Sequence, residues 1–174
     1  MFVLINGAFG IGKTSVAREL RALLAGSAIY DPEPAGVALQ RLVRPRPSDF
    51  QDLSSWRRLT VAAAGGVAAF RSPVIIPMTF SNLDYLAEIR KGLARSDRPI
   101  LHFCLTAPVD VVRERLRRRG EPVEDPRWSW VHRRAAECCQ AHQDSLFATQ
   151  VPTESRPSSA VAADLAARVR QVLS

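Results

Sequence analysis

The sequence contains very little lysine, few cysteines and no long apolar segment. Only two of its 24 basic residues are lysines, Lys13 and Lys91. Cysteine occurs three times, at Cys104, Cys138 and Cys139, and never in a CxxC pair. An odd number of cysteines without metal-ligand spacing excludes a disulfide framework and argues against a zinc site. Apolar runs are interrupted within a few residues, so no segment is long enough to span a bilayer.

The charge balance is positive, and arginine supplies nearly all of it. The net charge is +7 at pH 7. Arginine makes forked contacts with phosphate and carboxylate groups. No alternation of basic and aromatic residues and no nucleic-acid-binding motif accompanies this charge, so we expect no nucleic-acid partner.

Length and composition indicate one domain over residues 1–174. A chain of 174 residues with 47% hydrophobic content is long enough to bury a substantial core. No linker-like stretch divides it. The apolar stretch Phe2–Ile5 follows Met1 without a basic leader, which argues against a signal peptide and predicts a cytoplasmic protein.

Short apolar segments alternate with amphipathic ones. The predicted strands are Phe2–Asn6, Ala28–Tyr30, Pro73–Met78, Ile100–Leu105 and, more weakly, Thr149–Thr153. The predicted helices are Ser15–Leu24, Gly36–Val43, Phe50–Phe70, Asn82–Leu93, Val109–Leu116, Trp128–Leu146 and Ser159–Leu173. This alternation predicts an α/β fold with a five-stranded parallel sheet covered by helices on both faces.

The first predicted strand runs directly into GAFGIGKT, which matches the phosphate-binding pattern GxxxxGK[ST]. Glycines let the backbone N–H groups of such a loop approach a phosphate chain, and the helix that follows adds its N-terminal dipole. Lys13 then reaches the β- and γ-phosphates, and the Thr14 hydroxyl ligates Mg²⁺. The predicted ATP contacts are Gly7, Ala8, Phe9, Gly10, Ile11, Gly12, Lys13, Thr14 and Ser15.

Other interpretations of this loop fit less well. A glycine-rich turn with an incidental lysine does not explain the strand before it and the helix after it. A dinucleotide-binding loop requires GxGxxG, and these glycines have the wrong spacing. A switch GTPase would carry NKxD and DxxG, which are absent. A motor ATPase would carry an acid at the end of an apolar strand, whereas Val74–Met78 is followed by Thr79.

Small-molecule kinases often take their acid from the end of the second strand, and two carboxylates stand there. Asp31 and Glu33 flank Pro32 directly after Ala28–Tyr30. Ligands in open parallel sheets bind outside the carboxyl ends of the strands. Asp31 is the first candidate to orient or deprotonate an acceptor hydroxyl, and Glu33 the second. Both residues also suit a turn and a helix N-cap, which leaves a purely structural role open.

An arginine-rich segment between two predicted helices has the layout of a lid, spanning roughly residues 117–134. Arginines that close over a transferring phosphoryl group stabilise the charge on its oxygens. Arg117 and Arg119 are the first candidates for catalysis, and Arg113, on the same helix face as Arg117, is a candidate nucleotide contact. A solvated helix end would also carry such arginines.

Taken together, several segments resemble the TmrB-like tunicamycin-resistance proteins, a P-loop family related to nucleotide and antibiotic kinases. The segments that carry the resemblance are the phosphate-binding loop, YDPE at 30–33, DFQ at 49–51, Trp56 with Arg57, PMT at 77–79, Tyr85 with Glu88, and His102 with Phe103. The likeness covers nearly the whole chain and weakens after about Arg119.

The resemblance implies a nucleoside-kinase-like fold, monomeric or dimeric, that binds ATP and is linked to resistance to a nucleoside antibiotic. By position, Asp31 and Glu33 face the acceptor pocket, Trp56 and Arg57 line it, and Met78 and Thr79 form its floor. Core packing is an equal alternative for Trp56.

Three functions follow, in decreasing order of support. The first is an ATP- and Mg²⁺-dependent phosphotransferase acting on a small hydroxylated molecule such as a nucleoside or nucleoside antibiotic. The second is an ATP-gated protein that sequesters a drug without modifying it. The third is nucleic-acid end modification. Contacts with adenine are expected in 153–157, after the fifth strand.

Overall fold

Five parallel strands form the centre of the protein. The computed structural model describes residues 1–120, 129–144 and 147–173 of the chain. The strands are Phe2–Gly7 (β1), Ala28–Ile29 (β2), Val74–Pro77 (β3), Ile100–Thr106 (β4) and Thr149–Pro152 (β5). They lie in the order β2-β3-β1-β4-β5, and all four pairings are parallel. The predicted five-stranded parallel sheet is confirmed.

Helices connect the strands and cover both faces of the sheet. They are Lys13–Leu23 (α1), Glu33–Leu42 (α2), Ser54–Phe70 (α3), Leu83–Ala94 (α4), Val109–Arg118 (α5), Ser129–Ala141 (α6) and Ser158–Leu173 (α7). Among the residues described, no helix combines the length and the apolar character needed to cross a bilayer.

Strand β1 shows why this is a three-layer fold. All six of its residues are buried. Val3 and Ile5 belong to a core cluster that includes residues of α1 and α7, whereas Phe2 and Leu4 belong to a second cluster with residues of α3 and α4. Successive side chains of a strand point to opposite faces, so an uninterrupted apolar run needs helices on both sides.

The segment before α3 differs from its prediction. The sequence predicts one continuous helix over Phe50–Phe70, but the chain forms a short 3₁₀ turn at Phe50–Asp52 and α3 begins at Ser54. Leu53 between them is extended, with φ −77° and ψ 110°. The Asp49 side chain accepts a hydrogen bond from the Gln51 N–H and caps the turn. This break places 48–51 beside the phosphate-binding loop.

Candidate active site

The phosphate-binding loop joins β1 to α1. Gly12 immediately precedes the helix and has φ 108°, a left-handed conformation that glycine adopts without strain. The first N–H groups of α1 have no partner within the helix and point out of its N-terminus. Thr14 and Ser15 lie there and are exposed. These donors and hydroxyls suit an anion and its metal ion.

Close packing restricts the loop at Gly10. Its φ is 77°, and a Cβ atom built on it would lie 2.7 Å from Leu116 Cγ of α5. Arg115, from the same helix, donates from Nη1 to the Ile11 carbonyl oxygen at 3.0 Å. Helix α5 thus packs against the loop. The loop can approach α5 this closely because Gly10 has no side chain.

Lys13 is folded back onto its own loop. Its Nζ donates to the Ala8 carbonyl oxygen at 2.9 Å and lies 5.7 Å from the centre of the Phe9 ring. Burial lowers the pKa of Lys13 to about 8, and Arg119 adds to this effect while Glu33 opposes it. A bound polyphosphate would replace the contact of Lys13 with this carbonyl oxygen by an ion pair.

The two predicted carboxylates occupy different environments. Asp31 is exposed, and its Oδ1 accepts the Glu33 N–H at 3.0 Å. Glu33 lines a cleft beside the loop. Burial raises the pKa of Glu33, the Lys13 ammonium lowers it, and the carboxylates of Asp31 and Asp49 raise it further. Glu33 is therefore the carboxylate that faces Lys13, while Asp31 shapes the turn that presents it.

The cleft beside Glu33 has a volume of about 390 Å³. Its lining combines aromatic and apolar side chains with polar and charged ones. They consist of Phe9, Glu33, Val37, Gln40, Arg46, Ser48, Asp49, Phe50, Gln51 and Trp130. A second cleft of about 280 Å³ adjoins it across 48–51 and is lined by more polar groups, including Tyr85 and Arg134. The position and mixed lining fit a small acceptor molecule.

Trp130 of α6 forms a wall of both clefts. The indole is 43% exposed, and its ring packs edge-to-face on Phe9 at 5.7 Å between centroids. This contact joins α6, which begins within the predicted lid, to the phosphate-binding loop. Sequence analysis assigns Trp130 no role, because only the fold brings α6 close to the loop.

Three predicted acceptor residues lie beneath the cleft. Trp56 is fully buried and donates from Nε1 to the Pro32 carbonyl oxygen at 3.0 Å. Met78 and Thr79 are also buried, and the Thr79 carbonyl oxygen accepts from Gln51 Nε2 at 2.8 Å. The Trp56 side chain thus supports the turn at Pro32, and the Thr79 main chain holds the Gln51 side chain in the cleft wall.

Arg57, another predicted acceptor residue, joins three elements. Its guanidinium donates to the Gln51 carbonyl oxygen and to the Glu88 carboxylate, and it stacks on Tyr85 at 4.2 Å. Tyr85 in turn donates to Asp52 at 3.2 Å. Arg57 thus holds the wall of the clefts in place from behind.

The lid arginines are only partly gathered at the site. Arg119 lines a pocket beside the loop. Arg117 is exposed and paired with Glu114 at 2.7 Å, and Arg113 is exposed. Of the predicted lid, 121–128 lies outside the described residues.

Arg115 is a site residue that the sequence did not single out. It borders a pocket of about 230 Å³ at the start of α1, together with Arg119, Thr153, Arg156 and Ser158. This pocket includes part of 153–157, the segment in which the sequence predicts adenine contacts. Buried Val112 and Leu116 mark the inner face of α5, and Arg115 adjoins that face. The apolar spacing of Val112 and Leu116 was therefore the sequence signal that could have identified Arg115.

The three cysteines are free thiols. Within the described ranges, no group of three or more histidine, cysteine, aspartate or glutamate side chains could hold a metal ion. Cys104 and Cys138 are buried, and burial raises the pKa of Cys138 to about 11. Both therefore remain neutral thiols near neutral pH.

Comparison with known proteins agrees with this geometry. A family model described as an AAA domain matches residues 2–138. No curated protein matches the chain significantly. Among solved structures, shikimate kinase from Acinetobacter baumannii (TM-score 0.62, 15% identity) covers 99% of this chain and 92% of its own. A gluconokinase from Sinorhizobium meliloti (TM-score 0.62, 18% identity) covers 97% and 95%. At these identities the likeness shows a P-loop kinase-like fold.

One solved structure is much closer in sequence. The tunicamycin resistance protein of Deinococcus radiodurans is 32% identical, with a TM-score of 0.75 over 97% of this chain and 94% of that one. The identity extends beyond the phosphate-binding loop, since it is measured over nearly the full length of both proteins. The chain therefore belongs to the P-loop family of TmrB-like tunicamycin-resistance proteins.

Proposed function

We propose that this protein is an ATP-dependent phosphotransferase that phosphorylates a hydroxyl group of a small molecule, such as a nucleoside or a nucleoside-type antibiotic. One observation carries the proposal: a half-buried carboxylate, Glu33, lies within electrostatic reach of the phosphate-binding Lys13 and lines a cleft with room for an acceptor.

The donor side consists of the loop at Gly7–Ser15. A Cβ atom at Gly10 would clash with Leu116 of α5, so glycine there lets the loop keep its shape. Lys13 would neutralise phosphate charge, and the hydroxyl of Thr14, which is exposed at the start of α1, would ligate Mg²⁺. The bound ATP and Mg²⁺ supply the transferable phosphoryl group.

On the acceptor side, Glu33 accepts the proton of the attacking hydroxyl. Its raised pKa suits that role, because a base works best when its pKa lies near the ambient pH. Asp31 fixes Glu33 through the hydrogen bond to its N–H and adds negative charge. Trp130 and Phe9 present apolar surface to the acceptor.

The lid completes the site in this proposal. Arg119 already lies within electrostatic reach of Lys13. We assign Arg117 and Arg119 to the charge that develops on the transferred group, and Arg113 to the nucleotide. Residues 1–174 act as one domain in which the lid, roughly 117–134, closes over both ligands.

The acceptor class rests on the relative from Deinococcus radiodurans, which is described as a tunicamycin resistance protein. The partly aromatic lining of the cleft is compatible with a ring-bearing acceptor. Sugar, gluconate and shikimate kinases share only the fold with this protein. Their acceptors are therefore weaker guides to the acceptor that this protein binds.

The test is to incubate the protein with ATP, Mg²⁺ and a panel of nucleosides and nucleoside antibiotics, including tunicamycin, and to look for a mass gain of one phosphoryl group. Glu33→Gln is expected to slow the reaction by about 10²–10⁴-fold while it spares ATP affinity. Glu19→Gln, an exposed carboxylate on α1, is the matched control and should leave the rate unchanged.

Drug sequestration without chemistry is the rival that this experiment separates. In that case tunicamycin binds in the presence of ATP but gains no mass. Asp31→Asn and Glu33→Gln would then both preserve resistance. Normal ATP binding without phosphorylation of any compound in a broad panel would contradict phosphoryl transfer.

A further inference from the structure

The pocket that would receive the base of the nucleotide contains a dense set of hydrogen bonds around Arg115. It adjoins Gly12 and Ser15, where the triphosphate would lie, and it continues to Thr153 and Ser158 beyond β5. A nucleotide anchored by its phosphates at α1 therefore extends its base into this pocket. This step rests on the nucleotide-binding half of the proposed function and does not require phosphoryl transfer.

Arg115 occupies the main-chain acceptors that border the pocket. Its Nη2 donates to the carbonyl oxygens of Thr153 at 2.7 Å and Glu154 at 3.4 Å. Its Nη1 donates to the Ile11 carbonyl oxygen at 3.0 Å. A carbonyl oxygen has two lone pairs, and that of Thr153 also accepts from the Arg156 N–H at 3.5 Å. An exocyclic amine of a base would therefore have to displace a donor there, and hydrogen bonds from charged donors are the stronger ones.

The Thr153 hydroxyl also forms its hydrogen bonds within the protein. It accepts from Arg115 Nη1 at 3.1 Å and donates to the Thr106 carbonyl oxygen at 3.2 Å. The Thr153 N–H donates to the same carbonyl oxygen at 2.8 Å. The neighbouring Glu154 lines a different cleft, together with Thr106 and Pro152.

The groups that remain at the pocket are mainly cationic. Arg119 lies on the α5 side and Arg156 on the other, with the Arg156 guanidinium held by Asp164 at 3.5 Å and by the Ala160 carbonyl oxygen at 3.2 Å. Guanidinium planes stack on any aromatic ring. Their N–H groups pair with acceptors such as guanine O6 and N7, whereas the adenine edge adds an amine that needs an acceptor.

We propose that this pocket does not select adenine, and that Arg115 is the residue that removes the selection by occupying the carbonyl oxygens of Thr153 and Glu154. GTP then binds about as tightly as ATP. Arg115 is a positioning residue in this role, since it acts through the backbone of the loop after β5.

Competition binding tests the proposal without any acceptor. A fluorescent ATP analogue is displaced from the wild-type protein by ATP, GTP, CTP and UTP in the presence of Mg²⁺. An ATP-to-GTP affinity ratio below tenfold is expected, and a preference for ATP of tenfold or more overturns the proposal. Failure of all four nucleotides to bind would instead overturn nucleotide binding itself, and this proposal with it.

A variant then tests the assigned residue. Arg115→Met keeps the length of the side chain and frees the carbonyl oxygens, so total affinity falls but the ATP-to-GTP ratio rises at least fivefold. Arg118→Met is the matched control, because Arg118 is exposed on the same helix and pairs with Glu114. If folded Arg115→Met keeps the wild-type ATP-to-GTP ratio, Arg115 is not the cause of the missing selectivity. If the variant does not fold, the competition experiment on the wild-type protein still tests the lack of adenine selection.

Discussion

At the scale of single residues, Lys13 has the most unusual environment. Burial lowers its pKa to about 8 in the free protein, and a bound polyphosphate would raise that value by stabilising the ammonium. Binding therefore takes up a proton only above about pH 8. Below that pH the ammonium is already present, so affinity should not depend on its titration.

We predict that ATP affinity is constant from about pH 7 to 8 and then falls by up to tenfold per pH unit. Calorimetric titrations at fixed Mg²⁺ would measure this dependence. Lys13→Met is the control, with weaker affinity and a flat profile over the same range. A wild-type affinity that stays constant to about pH 9.5 would show that Lys13 does not hold the phosphates.

Gly10 yields a second prediction at this scale. Gly10→Ala forces a left-handed φ of 77° on alanine and places its Cβ against Leu116, whereas Gly26→Ala, at φ 76°, meets only the Ser72 carbonyl oxygen at 3.5 Å. The backbone strain costs about 1 kcal/mol in both variants, and crowding adds about 1–3 kcal/mol at Gly10.

Urea denaturation measures both variants of this pair. The free energy of unfolding should fall further for Gly10→Ala than for Gly26→Ala, and only Gly10→Ala should also lose ATP binding. Equal losses in the two variants would mean that α5 does not press on the loop.

Sequence reasoning reached the phosphate-binding loop because spacing alone defines that motif. It did not reach Arg115, since several arginines of one helix share the same chemistry and only packing distinguishes them. Arg113 and Arg117 lie on the exposed side of α5, whereas Arg115 meets the carbonyl oxygens beyond β5.

At the scale of elements, the sequence predicted the strands well because apolar runs covered on both faces have few alternatives. The β1, β3 and β4 segments were found to within one or two residues. The 3₁₀ turn before α3 was missed. It depends on the Asp49 cap and on the bond from Arg57 to Gln51, and neither is visible in hydrophobic periodicity.

Arg57 provides the prediction at this scale, because it ties α3 to that turn and to α4. Arg57→Met leaves the buried Gln51 carbonyl oxygen without this donor, which should lower the free energy of unfolding by about 1–3 kcal/mol. Arg58→Met, one residue along and exposed, should change it by less than about 0.5 kcal/mol.

Urea denaturation of the two variants makes the comparison. A stable Arg57→Met protein that has lost only acceptor binding would indicate direct contact with the acceptor. A loss of stability would indicate that Arg57 supports the cleft wall.

At the scale of the whole molecule, the net charge of +7 raises the question of a nucleic-acid partner, but several of the arginines have a carboxylate partner within the protein. Arg57, Arg117, Arg118, Arg134, Arg156 and Arg168 all lie within 4 Å of a carboxylate oxygen. We predict weak oligonucleotide binding that disappears near physiological salt, as expected for unspecific charge attraction. Tight filter binding at that salt concentration would revive nucleic-acid end modification.

The most direct test of the central claim is a calorimetric titration of the folded protein with ATP and Mg²⁺. The loop at Gly7–Thr14 should bind one equivalent of nucleotide, Glu33→Gln should bind it equally well, and Lys13→Met should bind it at least about tenfold more weakly. No heat with any nucleoside triphosphate, or unchanged affinity in Lys13→Met, would contradict the assignment of this loop and of the site built around it.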